Sequence, residues 1–139
     1  MFKTFRIISI VFLIFNAITA LFGGILLVIA PSGKLLQMPI KLLEYTPFTT
    51  FLIPGLILLI FNGLLSLLAA WVSIWKIKKY PSFIVMQGVI MLGWIVVEML
   101  MLRVFYAPLH LPYLFTGTGL VVLGYVLLQK FEHNLRKNQ

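Results

Sequence analysis

The sequence predicts an all-α fold: an antiparallel bundle of four transmembrane helices with one longer interfacial loop on the extracytoplasmic side. Composition supports this, because 62% of the residues are hydrophobic and only 10% are charged, against about 45–50% and about 25% in soluble domains. Mean hydropathy is +1.11. Four apolar runs also approach the roughly 20 residues that span about 30 Å of hydrocarbon. We expect residues 1–139 to form a single domain.

The four predicted spans cover about residues 7–30, 49–75, 82–103 and 113–129. The first follows a short basic start, so a signal peptide is the competing interpretation. Its apolar run is longer than the roughly 7–15 residues of a signal peptide, which favours a retained helix. In the second span, Pro54 and Gly55 fall near the start and indicate a kink or a late beginning.

The connection at residues 32–48 is the only long one between predicted spans. Its leucines alternate with Lys34, Gln37, Lys41 and Glu44, which is typical of a short helix or turn in the membrane interface. A loop tucked over the mouth of the bundle fits equally well. The connection from Arg103 to Pro112 is rich in aromatic residues and proline and is predicted to be tight.

Basic residues predict the orientation of the bundle. The net charge is +8, but the bases flank apolar segments, so anionic lipid headgroups are expected partners and nucleic acid is not. One side receives Lys3, Arg6, Lys76, Lys78, Lys79, Lys130, Arg136 and Lys137; the other receives Lys34, Lys41 and Arg103. The positive-inside rule then places both termini in the cytoplasm.

Glu98 is the strongest candidate for a ligand-binding residue. It is one of only three acids in the chain and falls inside the apolar third span, where a carboxylate is costly and marks a functional site or an ion pair. Gln87, Met91 and Trp94 precede it at helical spacing on the same stripe. The alternative is structural: an ion pair or hydrogen bond with Arg103, His110 or an asparagine.

Asn16, Asn62 and His110 are further candidates for ligand binding. The two asparagines sit near the middle of their spans in similar segments, LIFNAITAL and LIFNGLLSL. An interhelical hydrogen bond, worth roughly 0.6 kcal/mol, is the favoured interpretation of both. His110 lies between two prolines and is equally interpretable as a cap for its loop. The chain has no cysteine and two histidines, so we expect no metal and no cofactor.

Small and polar residues recur at steps of three and four in every span, which predicts how the helices pack. Because lipid offers no hydrophobic force between helices, close packing and polar contacts must hold them together. Such stripes favour a left-handed bundle with the second, third and fourth spans as antiparallel neighbours. The stripes are Ser9, Phe12, Asn16, Thr19 and Gly23; Gly55, Leu59, Asn62, Ser66, Ala69 and Ser73; Gln87, Met91, Trp94 and Glu98; and Tyr113, Gly117, Leu120, Gly124 and Leu127.

Three stretches resemble a group of small bacterial integral membrane proteins with four helices. They are PSGKLLQMP, TPFTTFLIPGLILLIFNG and the GW of the third span. In the wider sense the chain is similar to the DoxX-like group, over about residues 23–119. The resemblance implies a location in the bacterial inner membrane and assigns no catalytic residue.

The sequence favours a non-enzymatic membrane protein that binds a lipid-like ligand or acts as a membrane partner subunit. A second hypothesis is a homodimeric proton-coupled transporter that uses Glu98. It resembles small multidrug resistance exporters in plan, but here the acid is in the third span and the extracytoplasmic loop is longer. A third hypothesis is a membrane isomerase with Glu98 and His110 as acid and base, which requires both groups within reach of one substrate.

Overall fold

A computed structural model of the protein describes residues 1–103 and 105–139, which form four long helices. These are α1 (Phe2–Ile29), α2 (Leu52–Ile74), α3 (Tyr80–Leu102) and α4 (Ala107–Lys137). Each is long and apolar enough to cross a membrane. The predicted all-α class with four membrane-spanning helices is confirmed, and the chain is an integral membrane protein.

Consecutive helices are antiparallel neighbours in the bundle. Along α1 and α2, Arg6 lies beside Ser73, whereas Gly24 lies beside Leu59, so the two helices run in opposite directions. α4 packs against α3 along its length and also against α1, while α3 packs against α2. The ring order is therefore α1, α2, α3, α4, as short connections require.

Glycines bring the helix backbones close together in the bundle. A Cβ atom added at Gly24 would lie 2.9 Å from the Cα atom of Leu59, and one at Gly88 would lie 2.9 Å from the backbone nitrogen of Val121. This close approach supplies van der Waals contact between α1 and α2 and between α3 and α4. Membrane helices depend on such contact because lipid is as apolar as their side chains.

The buried stripe of α1 is displaced from the predicted one. Leu13 and Gly24 are buried where Phe12 and Gly23 were expected, while Ser9 and Asn16 are buried as predicted. The buried stripe drifts from the predicted one because a straight helix has 3.6 residues per turn and the predicted repeat has 3.5. α1 packs against both α2 and α4. The stripe of α2 is close to the prediction, with buried Gly55, Asn62, Ser66, Ala69 and Ser73.

The half of the bundle nearer the termini has a packed apolar core. Its buried side chains come from all four helices: Leu13, Ala69, Ala70, Ile84, Met91, Leu120 and Leu127. A second cluster, made by Leu27, Leu43 and Phe51, lies at the opposite end. The long connection joins this second cluster and closes that end of the bundle.

The long connection folds over the mouth of the bundle. It contains two short 3₁₀ helices, Lys34–Leu36 and Ile40–Leu43, and Phe51 returns to donate its backbone N–H to the carbonyl of Pro31 (2.8 Å). Gly33 has φ +79 and its carbonyl accepts from Met38 N–H (2.9 Å). Any side chain at Gly33 would strain this turn. This arrangement is the loop over the mouth that one of the two sequence interpretations predicts.

The predicted connection from Arg103 to Pro112 is wrong in its second half, because α4 already begins at Ala107. Pro108 falls in the first turn, where a backbone N–H has no helical partner and its loss costs nothing. Pro112 lies inside the helix and removes only one backbone hydrogen bond. Val104, also within the predicted connection, lies outside the described residues. α4 continues past the predicted end of the span near residue 129 and ends at Lys137.

A π-helical segment, Leu58–Leu64, interrupts α2. The N–H of Leu65 reaches back five residues to the carbonyl of Ile60. Two carbonyls of the segment accept from side chains of neighbouring helices: Phe61 from Gln87 Nε2 (3.0 Å) and Asn62 from Asn16 Nδ2 (3.3 Å). Such wide turns occur frequently at functional sites.

We predict that Gly24→Ala destabilises the bundle, because the new methyl group collides with the backbone of α2 at Leu59. Overpacking of this kind costs about 1–3 kcal/mol. Unfolding in mixed micelles, followed by circular dichroism, measures the loss. Gly93→Ala is the matched control, since a Cβ atom there meets nothing within 4 Å. Equal destabilisation by both substitutions would contradict the helix contact.

Candidate functional site

A cavity of about 490 Å³ lies between the four helices beneath the long connection. Polar and aromatic side chains on its wall are Asn16, Thr19 and Phe22 from α1, Thr46, Phe48 and Phe51 from the connection, Asn62 from α2, Trp94 and Glu98 from α3, and Tyr113 from α4. Most of the remaining wall is leucine, isoleucine and methionine. Its size and its few polar groups in an apolar wall are typical of a small-molecule site.

Asn62 is the most unusual residue on the cavity wall. This residue is only 1% exposed. In the described part of the chain, neither Oδ1 nor Nδ2 of its side chain has a hydrogen-bond partner. Burying an amide without partners costs about 1–3 kcal/mol by protein mutational data. A bound molecule that offers both a donor and an acceptor would remove this cost.

Asn16 pairs with the backbone of the π-helical segment and not with the side chain of Asn62. Asn16 donates its amide to the backbone carbonyl of Asn62 (3.3 Å) and to the hydroxyl of Ser66 (2.7 Å). α1 therefore satisfies the backbone of α2 at this turn and leaves the Asn62 amide free. Gly63 next to it approaches the Leu21 side chain, where a Cβ atom would come within 2.8 Å, so the turn is held in place.

Glu98 lies on the same cavity wall with Trp94 and Tyr113. The structural alternative predicted for Glu98 was an ion pair or hydrogen bond with Arg103, His110 or an asparagine. In the structure, the guanidinium group of Arg103 lies 4.1 Å from the centroid of the Tyr45 ring, a cation–π contact.

His110 is buried at the start of α4, 3% exposed, and is not part of the cavity wall. The Tyr106 N–H donates to its Nδ1 (2.9 Å), and its ring stacks on Phe105 with centroids 5.6 Å apart. Nδ1 also lies 3.1 Å from the carbonyl oxygen of Tyr106. Nε2 is buried without a partner among the described residues.

Gln87, also predicted as a ligand-binding residue, lies outside the cavity wall. It is completely buried, and its Nε2 donates to the carbonyl of Phe61 (3.0 Å). The side chain thus joins α3 to the π-helical segment of α2. Through this contact Gln87 helps to position Asn62, which follows Phe61 in the chain.

The structure brings four of the predicted site residues to one cavity: Asn16, Asn62, Trp94 and Glu98. Gln87 and His110 lie just outside it. The sequence prediction omitted Thr19, Thr46 and the apolar wall that the long connection supplies. Amphipathic alternation in that connection was the available signal, but an interfacial helix would produce the same pattern.

Comparison with known proteins gives no match to a family, to a curated protein or to a solved structure. The resemblance to the DoxX-like group therefore stays a prediction. The chemistry of the cavity has to be inferred from its own residues, above all from the free amide of Asn62 and from Glu98.

Two asparagines of similar burial should respond oppositely to substitution by leucine. We predict that Asn62→Leu raises the free energy of unfolding of the ligand-free protein by about 1 kcal/mol, since an unpaired buried amide disappears. Asn16→Leu should lower it by at least about 0.6 kcal/mol, because it breaks an interhelical hydrogen bond.

Micelle unfolding of purified, delipidated protein measures both changes, and wild-type chain prepared in the same way is the reference. If Asn62→Leu destabilises the protein as strongly as Asn16→Leu does, the Asn62 amide has a structural partner and the site loses its main support.

Proposed function

We propose that this protein is a non-enzymatic integral membrane protein that binds a lipid-like, amphipathic ligand in the cavity beneath the long connection. The buried, unpaired amide of Asn62 is the observation that carries this proposal. A buried polar group of this kind needs a partner, and a molecule in the adjacent cavity can supply one. The free amide fits a ligand head group that enters an otherwise apolar cavity.

The geometry of Asn62 restricts the head group of the ligand. Its Oδ1 accepts a hydrogen bond and its Nδ2 donates one, so a hydroxyl or a carboxamide satisfies both atoms. Glu98, on the opposite side of the ring of helices from Asn16, adds an acceptor or, when protonated, a donor. The tail of the ligand would lie along Leu27, Leu58 and Phe51, all on the wall.

The position of the cavity supports binding over passage through the membrane. The cavity occupies the half of the bundle beneath the long connection, whereas the other half is filled by the apolar core around Leu13 and Leu120. A ligand that enters from the connection side meets this core. The placement of His110 off the cavity wall likewise favours binding over acid–base chemistry with Glu98.

We also propose that both termini face the cytoplasm of a bacterial cell and that the cavity lies toward the extracytoplasmic side of the inner membrane. The basic residues Lys3, Arg6, Lys76 and Lys130 gather at the end of the bundle opposite the long connection. The positive-inside rule assigns that end to the cytoplasm.

Trp94 offers a direct test of ligand binding, because its indole lies on the cavity wall. The chain has three tryptophans, so Trp94 is the one that remains in a variant with Trp71→Phe and Trp75→Phe. A brominated long-chain alcohol should quench its fluorescence in a saturable way. Adding Asn62→Leu should weaken binding about tenfold, about 1.4 kcal/mol, since the hydroxyl loses its partner.

The control variant carries Trp94→Phe and keeps Trp71 and Trp75, which lie at the far end of α2. It should show only the linear quenching of an alcohol that partitions into micelles. Linear quenching of Trp94 that is indifferent to Asn62→Leu would overturn the proposed site.

The absence of cysteine from the chain permits a clean test of orientation. We predict that Lys41→Cys, in the long connection, reacts with a membrane-impermeant maleimide on intact cells. Lys78→Cys, between α2 and α3, should react only after permeabilisation. Both lysines are exposed, so each variant controls for the reactivity of the other. The reverse pattern would invert the proposed topology.

A further inference from the structure

A second cleft lies at the end of the bundle that carries the termini. Its volume is about 330 Å³, and it is separated from the Asn62 cavity by the apolar core around Leu13 and Leu120. Its wall consists of Phe2, Lys3, Arg6, Lys76, Tyr80, Leu127, Lys130, Phe131 and Asn134. We call it the basic cleft.

The charged side chains on the wall of the basic cleft, among the described residues, all have one sign. Lys3 and Arg6 come from α1, Lys76 from the turn after α2 and Lys130 from α4. The wall contains no acidic residue. Cations that converge from three parts of the chain repel one another, so an anion between them would relieve the repulsion.

Local contacts hold two of these cations in position. The ammonium of Lys130 lies 3.9 Å from the centroid of the Phe2 ring, and Arg6 Nη1 is 3.5 Å from the carbonyl of Ser73. Lys76 follows the end of α2 in the left-handed conformation, with φ +50, that commonly ends a helix.

The helix ends around the cleft add to its positive potential. α1 and α3 begin there, at Phe2 and Tyr80, and neither start has an acidic residue in its first turn or a capping side chain. The N-terminal end of a helix carries a partial positive charge that favours anions. The C-terminal end of α2, which carries a partial negative charge, is also nearby. The Arg6 guanidinium group lies close to its Ser73 carbonyl and offsets this charge.

The floor of the cleft is apolar, and two exposed tryptophans at the same end of the bundle indicate the level of the lipid headgroups. Phe2, Leu127 and Phe131 supply the floor. Trp71 and Trp75, which pack against each other with ring centroids 5.6 Å apart, are exposed at the same end of α2. Tryptophan concentrates at the membrane–water interface, so the cleft spans the boundary between acyl chains and phosphates.

We infer that the basic cleft binds a phosphate group, with an anionic phospholipid as its natural carrier. The guanidinium of Arg6 is suited to two parallel hydrogen bonds with phosphate oxygens, and the lysines supply point charges. An acyl chain could lie on the apolar floor, which a free phosphate ion would leave empty. The site is separate from the Asn62 cavity, so either proposal can fail alone.

Native mass spectrometry and thermal unfolding of the full chain in uncharged detergent test this inference. The added ligands are phosphatidylglycerol, phosphatidylcholine and inorganic phosphate. Phosphatidylglycerol should bind and raise the unfolding temperature of the wild-type chain. The double variant Arg6→Gln/Lys130→Gln should bind it at least about tenfold more weakly, since two charged groups that contact the phosphate are lost.

The matched control is Lys78→Gln/Lys137→Gln, which removes the same charge from exposed lysines outside the cleft. It should keep its affinity for phosphatidylglycerol within about twofold. Equal loss in both double variants, or no loss in either, would overturn the site. Lys130→Gln alone, at an exposed position, should show a smaller loss and covers the case in which the Arg6 variant does not fold.

The inorganic phosphate arm distinguishes the two sources of the anion. If phosphate alone reproduces the stabilisation and competes with phosphatidylglycerol, the cleft takes free phosphate. If only the lipid stabilises the protein, the cleft takes the lipid headgroup. Stabilisation by phosphatidylcholine equal to that by phosphatidylglycerol would contradict an anion site.

Discussion

The widened turn of α2 depends on hydrogen-bond donors from its neighbours, because lipid supplies none. Asn16 of α1 and Gln87 of α3 provide them, at 3.3 Å to the Asn62 carbonyl and 3.0 Å to the Phe61 carbonyl. These bonds join three helices at one level of the membrane. The side chain of Asn62 stays unpaired at the cavity wall. The turn that joins the helices therefore also carries an amide to which a ligand can hydrogen-bond.

The two ends of the bundle differ in chemistry because a packed core separates them. On one side of Leu13 and Leu120 lies an apolar cavity with a free amide and a carboxylate. On the other lies a cleft with four cations and no acid on its wall. The first fits the polar head of an amphipathic molecule held inside the bundle, and the second fits a phosphate at its rim. Changes in one are expected to leave the other intact.

The sequence predicted the buried face of α2 correctly. The buried stripe of α2 follows steps of three and four, so its periodicity alone predicts Asn62, Ser66 and Ser73. The prediction was less accurate for α1. Its buried stripe shifts to Leu13 and Gly24, because a straight helix with 3.6 residues per turn drifts from a repeat of 3.5. The start of α4 was also misplaced, because Pro112 signals a helix break and yet lies inside the helix.

The sequence by itself determined the class of the protein, its four spans and the segregation of its bases, because hydrophobic length and charge act locally along the chain. It also singled out Glu98 and the two asparagines as costly in an apolar setting. Only the tertiary structure decided which amide is satisfied. Asn16 finds Ser66 at 2.7 Å, whereas the Asn62 side chain finds no partner in the described part of the chain. That difference depends on the rotation of α1 against a π-helical turn, and the pairing of atoms from distant segments is not encoded in local periodicity.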